Sequence, residues 1–150
     1  MSEVDPTRFT LRAVTAADRA AVIALWRIVF PEYADPDRPQ RDPAANFDRK
    51  LAVADDLFWL AEHGHDVIGS ALAGYDGHRG WLYSVGVHPQ ARGNGLGRAL
   101  VQHAERALLA RGCPKVNVQV LSARPDAQRF WTAMGYREDV VTSLGKRLGA

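Results

Sequence analysis

The feature that most restricts what this chain can fold into is Arg92-Gly93-Asn94-Gly95-Leu96-Gly97-Arg98, three glycines set between two segments of different apolar period. Before it, about Gly80 to His88 reads as a strand. After it, from Gly95 to Arg111, Leu96, Leu100, Ala104 and Leu108 align on one face of a helix. A glycine-rich turn from a strand into an amphipathic helix leaves free backbone amides at the positive end of a helix dipole. Glycine also lets those amides approach a ligand unobstructed, which is how a chain holds phosphate or pyrophosphate. Two familiar phosphate loops do not fit. A dinucleotide fingerprint needs glycine where Arg98 stands, and a P-loop ends in Gly-Lys-Ser/Thr, which is absent. What remains is Arg-x-x-Gly-x-Gly, and by itself that is equally the pattern of a plain strand-to-helix turn.

The rest of the chain supplies context. Phe9 to Arg12 reads as a short strand, and Thr15 followed by Asp18 as a helix start. The helix should run to about Phe30 with Ala21, Leu25, Ile28 and Val29 on its apolar face, until Pro31 ends it. Pro31 to Pro43 is a loop within the domain, because neither flank is long enough to fold alone. Asn46 to Ala54 reads as a second short helix. Leu57 to Glu62 and Val67 to Tyr75 read as strands joined by His63-Gly64-His65-Asp66. Asp76-Gly77 turns the chain into the strand that precedes the glycine loop. Lys115 to Leu121 alternates as a strand, Asp126 to Met134 is a short helix, and Tyr136 onward returns to strand. The order is β-α-α-β-β-β-α-β-α-β, strands together with helices covering them.

Composition excludes several classes. The 150 residues, 47% apolar and 24% charged, suit one globular domain, 1–150, with no apolar run long enough to span a bilayer. Met1 to Pro6 is polar and lacks the layout of a signal peptide. Cys113 is the one cysteine, so no internal disulfide can form and a cytoplasmic location is expected. A net charge of +2, its basic residues scattered and only Lys50, Lys115 and Lys146 lysines, argues against a nucleic-acid partner. His63 and His65 lack a third ligand nearby, so no metal site is expected. His103 reads as a boundary residue of the long helix, His88 follows the strand toward solvent near an acceptor site, and Trp26, Phe58, Trp59 and Trp81 read as core or boundary packing.

From Trp81 to Leu148 the chain resembles the Gcn5-related N-acetyltransferases (GNAT). The resemblance is carried by four features in order: Val85-Gly86-Val87-His88-Pro89, then Arg92 to Gly97, then the strand Val116 to Leu121, then Ala127 to Tyr136. Arg111-Gly112-Cys113-Pro114-Lys115 and Leu144-Gly145-Lys146-Arg147-Leu148 are similar to a small bacterial YpeA-type subgroup. The resemblance implies an α/β (α+β) fold, with a mixed, mostly antiparallel central sheet of about six strands flanked by about four helices. It implies acetyl-CoA as cosubstrate and an amine acceptor, with no membrane or nucleic-acid partner; pairing of edge strands into a homodimer is left open.

On that resemblance the amides of Arg92, Gly93, Asn94, Gly95, Leu96, Gly97 and Arg98 hold the CoA pyrophosphate. Arg92, Arg98 and Arg124 are candidates for phosphate contacts through their planar forks of donors. The strand at Val85, Gly86 and Val87 splays from its neighbour, so the amide-bearing pantetheine arm pairs with it as an added strand does. Gly86 reads as the mark of a bulge. An amide near Val85 to Val87 would stabilise the oxyanion that develops when an amine attacks the thioester. The family's usual tyrosine acid falls at Trp131, and an indole is no acid at neutral pH. Its common asparagine falls at Arg124. Tyr83 is the substitute candidate for proton transfer. Glu32, Asp35 and Asp37 would attract a cationic acceptor. The loss of the tyrosine also keeps a second reading open, a non-catalytic acyl-CoA-binding module.

Overall fold

The computed structural model describes residues 8–37 and 41–149. Met1 to Pro6 and the middle of the Pro31 to Pro43 segment, residues 38–40, lie outside them. The described residues form β1 (Thr10–Ala13), α1 (Arg19–Val29), α2 (Pro43–Val53), β2 (Phe58–His63), β3 (Asp66–Tyr75), β4 (Gly80–Val87), α3 (Leu96–Ala110), β5 (Val116–Val118) and α4 (Pro125–Ala133). The chain groups into two compact units, one ending at Gln119 and the other beginning at Val120.

In the first unit the strands lie in the order β1-β2-β3-β4-β5, antiparallel except for the parallel pair β4–β5 that α3 connects. Alternate residues of β3 and β4 face opposite sides. On one side a Cβ on Gly69 would meet Leu100 Cδ1 at 3.0 Å, and one on Gly80 would meet Cys113 Sγ at 2.7 Å and Leu108 Cδ1 at 3.1 Å. Small residues on the sheet thus let α3 lie close along it. On the other side α1 and α2 enclose Val22, Ile23, Trp26, Phe47, Phe58, Leu60 and Leu72. Trp26 stacks on Phe58 with ring centroids 5.9 Å apart.

That indole also sets the rotation of α1. The buried residues are Val22, Ile23, Leu25, Trp26 and Val29, whereas Ala21 and Ile28, expected on the inner face, are exposed. The largest apolar side chain outweighs the two smaller ones in choosing the phase. α2 begins three residues earlier than expected. Asp42 accepts from the Ala44 amide at 3.1 Å, and Pro43 sits in the first turn, where it loses no hydrogen bond.

β1 is tied to α1 by charge. Arg12 donates to both Asp18 carboxylate oxygens at 2.8 Å and to Glu62 at 3.0 Å, and the Thr15 amide donates to Asp18 at 2.8 Å. The Arg12 bonds hold the Asp18 carboxyl down at about 2 against an ordinary 3.8. A depressed carboxyl stabilises the fold above its unfolded value and loses that contribution as pH falls through its folded value. Stability should therefore drop between about pH 4 and pH 2. Asp18→Asn should cost about 1–2 kcal/mol at pH 7, allowing for screening of the partly exposed Arg12, and should flatten that acid limb. Urea melts at pH 7, 4 and 2.5 check this, and an unchanged acid limb in Asp18→Asn would contradict it.

The second unit holds α4. Trp131 is buried against Phe130 and Tyr136, edge-on at 5.2 and 5.0 Å, and the Tyr136 amide closes back on the Trp131 carbonyl at 3.0 Å. The sixth strand expected from Tyr136 onward does not form. Val140, Val141, Leu144 and Leu148 are exposed, and a strand without a ladder or a surface to bury against has nothing to hold it. The fold class stands, with five strands among the described residues rather than about six. β5 is also shorter than the expected Lys115 to Leu121, for a reason that concerns the site.

Candidate active site

The β4–β5 ladder pairs Gly80 with Val116, Trp81 with Asn117 and Leu82 with Val118, and then stops. On the other side of β4, Leu72 pairs with Tyr83 and Ser70 with Gly86, so Ser84 and Val85 stand opposite Ala71 alone. Two residues against one make a β-bulge, which bends β4 and sharpens its twist. Beyond Leu82 the β4–β5 ladder ends, and among the described residues no strand pairs with the β5-facing edge of Tyr83 to Val87. The bulge is at Ser84 and Val85, not at Gly86 as the glycine implied. Ser84 takes φ +47°, in the left-handed region. Gly86 has another reason to be small: a Cβ there would meet Val29 Cγ1 at 2.7 Å and Phe30 Cζ at 2.9 Å.

A buried chain of hydrogen bonds runs beneath the bulge. Trp26 Nε1–H donates to Ser70 Oγ at 2.9 Å, and the Ser70 hydroxyl donates to the Ser84 carbonyl at 2.8 Å. Neither Ser70 nor Trp26 is marked as functional by the sequence. The available signal was a lone serine in the apolar run Ile68-Gly69-Ser70-Ala71-Leu72.

β4 leads through a 3₁₀ turn at Pro89–Ala91 into the glycine loop. Gly93 and Gly95 have φ of +85° and +78°, conformations that only glycine adopts without strain. Gly95 occupies the position before α3, and no side chain caps that helix, so its first amides are open. Buried Leu96 anchors the loop. Asn94 Nδ2 donates to the Ala91 and Arg92 carbonyls, each at 3.3 Å. Arg92 Nε donates to the Val87 carbonyl at 3.2 Å, tying the loop to the end of β4, while Arg98 is exposed one turn into α3. The structure thus brings Tyr83, Val85, Gly86, Val87 and the loop Arg92 to Arg98 into one continuous strand-loop-helix. Arg124 belongs to the second unit, where it precedes α4 and pairs with Asp126 at 3.6 Å.

Tyr83 shares the α1 face of the sheet with its partner Leu72 and is half exposed. Burial, with a smaller contribution from the Asp76 charge, pushes its phenol above the ordinary value of 10.0, so it is protonated throughout the neutral range. Just past the end of α1, Phe30 reaches Gly86, and the turn Pro31–Ala34 follows. In that turn Glu32 Oε2 is buried without a hydrogen-bond partner, whereas Asp35 Oδ1 accepts from the Asp37 amide at 2.9 Å. His88 Nδ1 accepts from the Gln90 amide at 3.1 Å, and His103 lies edge-on to Trp59 at 5.2 Å, its pKa lowered mainly by burial. Among the described residues no cluster of three or more His, Cys, Asp or Glu could hold a metal, and no helix is long and apolar enough to cross a membrane.

Residues 20–136 match the family model described as acetyltransferase (GNAT) family. An acetyltransferase from Sodalis glossinidius is 42% identical over 139 residues, covering 92% of this chain and 94% of that protein. The PaiA N-acetyltransferase from Thermoplasma acidophilum, solved in complex with coenzyme A, has the same fold. Its TM-score is 0.78 at 15% identity, over 90% of this chain and 93% of that one. So does the ribosomal-protein-S18-alanine N-acetyltransferase from Escherichia coli, with a TM-score of 0.73 at 18% identity, over 89% and 80%. The chain therefore belongs to the acetyltransferase (GNAT) family, as an acetyl-CoA-dependent N-acetyltransferase.

Proposed function

We propose that the first unit binds acetyl-CoA along β4 and the glycine loop and transfers the acetyl group to a primary amine, on a small molecule or a protein. The observation that carries this reading is the coincidence of an open β4 edge with an uncapped helix start, joined by Gly93 and Gly95. The open amides of α3 suit the pyrophosphate, and the unpaired β4 edge suits the amide-bearing pantetheine arm. The exposed Arg98 is free to reach a phosphate, and Arg92 stands at the mouth of the loop. The family match runs across both units, which supports reading 1–150 as one acetyltransferase domain. The runs Arg111 to Lys115 and Leu144 to Leu148 support placement in the YpeA-type subgroup.

The chemistry forms a C–N bond and breaks the C–S bond of the thioester. An amine of ordinary pKa must first lose a proton to water or a base. The β4 amides around Val85 stabilise the charge that develops on the thioester oxygen. Tyr83, held protonated, offers a hydrogen bond to the departing thiolate, which leaves as thiol on taking up the proton that the amine has shed. Glu32 offers its unpartnered oxygen to a cationic acceptor, since a buried carboxylate oxygen without a donor is costly. Trp131 takes no part in proton transfer.

Release of CoA thiol, followed with a thiol reagent across a panel of amines, tests the reading. Release should depend on both acetyl-CoA and an amine, and binding without turnover for every amine would favour the acyl-CoA-binding alternative. Tyr83→Phe should lower kcat by roughly 10- to 100-fold, evenly from pH 6 to pH 9, because the phenol does not titrate there. Unchanged turnover across that range would remove Tyr83 from the mechanism.

A further inference from the structure

We propose that Ser70 is a positioning residue for acetyl transfer. Its hydroxyl pins the Ser84 carbonyl and thereby aims the Val85 amide at the thioester oxygen. The inference rests on the placement of acetyl-CoA along β4 given above.

Ser70 is fully buried, at 0% exposure, on the sheet face that packs against α1. A buried hydroxyl costs stability unless its donor and acceptor capacities are used, and here both are. It accepts from Trp26 at 2.9 Å and donates to Ser84 at 2.8 Å. A serine needed only to fill space would be replaced without loss by alanine. A serine needed only to satisfy the indole would have no reason to aim its proton at Ser84. The proton goes to one of the two β4 residues that the bulge leaves without a ladder partner.

The consequence follows from peptide geometry. The Ser84 carbonyl and the Val85 N–H belong to one planar trans unit, in which the two groups point in opposite directions. With the carbonyl directed at Ser70 on β3, the Val85 N–H is directed away from β3. That is the side of β4 from which β5 has departed and where the open edge lies. Ser84 holds φ +47°, a conformation that is strained for a non-glycine residue and persists only where neighbours enforce it. The Ser70 hydroxyl holds the Ser84 carbonyl in place, and Trp26 satisfies the hydroxyl oxygen. None of the three groups titrates near neutrality, so the device works independently of pH.

The test uses two probes, acetyl-CoA and CoA, which differ by the acetyl group that carries the carbonyl in question, in calorimetric titrations of the full chain. The wild-type protein should bind acetyl-CoA roughly three- to ten-fold more tightly than CoA, the value of about one net hydrogen bond. In Ser70→Ala the ratio should fall to near one while CoA affinity changes less than about two-fold. Trp26→Phe, which keeps the Ser70–Ser84 bond, should retain most of the ratio. Ser70→Cys, isosteric with a weaker donor, should be intermediate, and it carries the test if Ser70→Ala does not fold. Equal loss of affinity for both probes, or an unchanged ratio in Ser70→Ala, would overturn the inference while leaving the binding site intact. A wild-type chain that binds neither probe would remove the site itself.

Discussion

Replacing Gly95 with aspartate is expected to weaken acetyl-CoA binding by on the order of 100-fold while α3 stays folded. Gly95 has φ +78° and sits immediately before the first turn of α3, where no side chain satisfies the open amides. Aspartate tolerates the left-handed region better than most residues and is a favoured helix cap, so the helix start itself survives the change. The introduced carboxylate would, however, take the amides and the dipole that the pyrophosphate needs, and repel it as well. Far-ultraviolet circular dichroism reports the fold and calorimetric titration reports the binding. Gly95→Ala separates the two contributions, since it adds backbone strain without charge and should weaken binding far less. Wild-type affinity in Gly95→Asp would mean that the helix start is not the anion site.

Gly86→Ala is expected to damage both stability and turnover. The new methyl would lie 2.7 Å from Val29 Cγ1 and 2.9 Å from Phe30 Cζ, closer than van der Waals contact allows. Val29 is buried and β-branched, with little room to turn aside, so the end of α1 or β4 must shift. Overpacking of this kind costs about 1–3 kcal/mol. At about 2–4 °C per kcal/mol for a chain of this size, the melting temperature should fall by roughly 2–12 °C. The displacement falls one residue from the bulge, so kcat should drop by more than about ten-fold, a shift of the reacting geometry rather than of bulk stability alone. Gly64→Ala is the control: that glycine has φ +61° but open space around it. It should cost stability through strain and leave kcat unchanged. If Gly86→Ala destabilised the protein but left kcat intact, the bulge would not need its present position for catalysis.

How far the site could be read in advance depended on whether a residue announces itself through the backbone or through its partners. Gly93 and Gly95 were legible because a glycine-rich start to an amphipathic helix has few uses, and the structure shows the backbone conformations that demand glycine. The separation of β4 from β5 was legible only through the family resemblance, since the β5 ladder stops for reasons that lie in β4. Gly86 was noticed but misread, because absence of a side chain looks the same whether it serves a bulge or a close contact. Ser70 and Trp26 passed as ordinary strand and core residues. What makes them distinctive is a pair of hydrogen bonds across 44 and 14 positions of the chain, which no local pattern encodes. The face of α1 was off because Trp26 outweighed Ala21 and Ile28. The sixth strand was expected from alternation alone, and alternation does not supply a partner.

A thermal melt with and without excess acetyl-CoA tests the central claim most directly. A ligand at about 100 times its Kd stabilises the native state by roughly 2.7 kcal/mol. For a domain of this size that is a rise in midpoint of roughly 5–10 °C, and it should disappear in Gly95→Asp. An unchanged midpoint for the wild-type protein at millimolar acetyl-CoA would contradict the assignment of β4 and its glycine loop as the acetyl-CoA site.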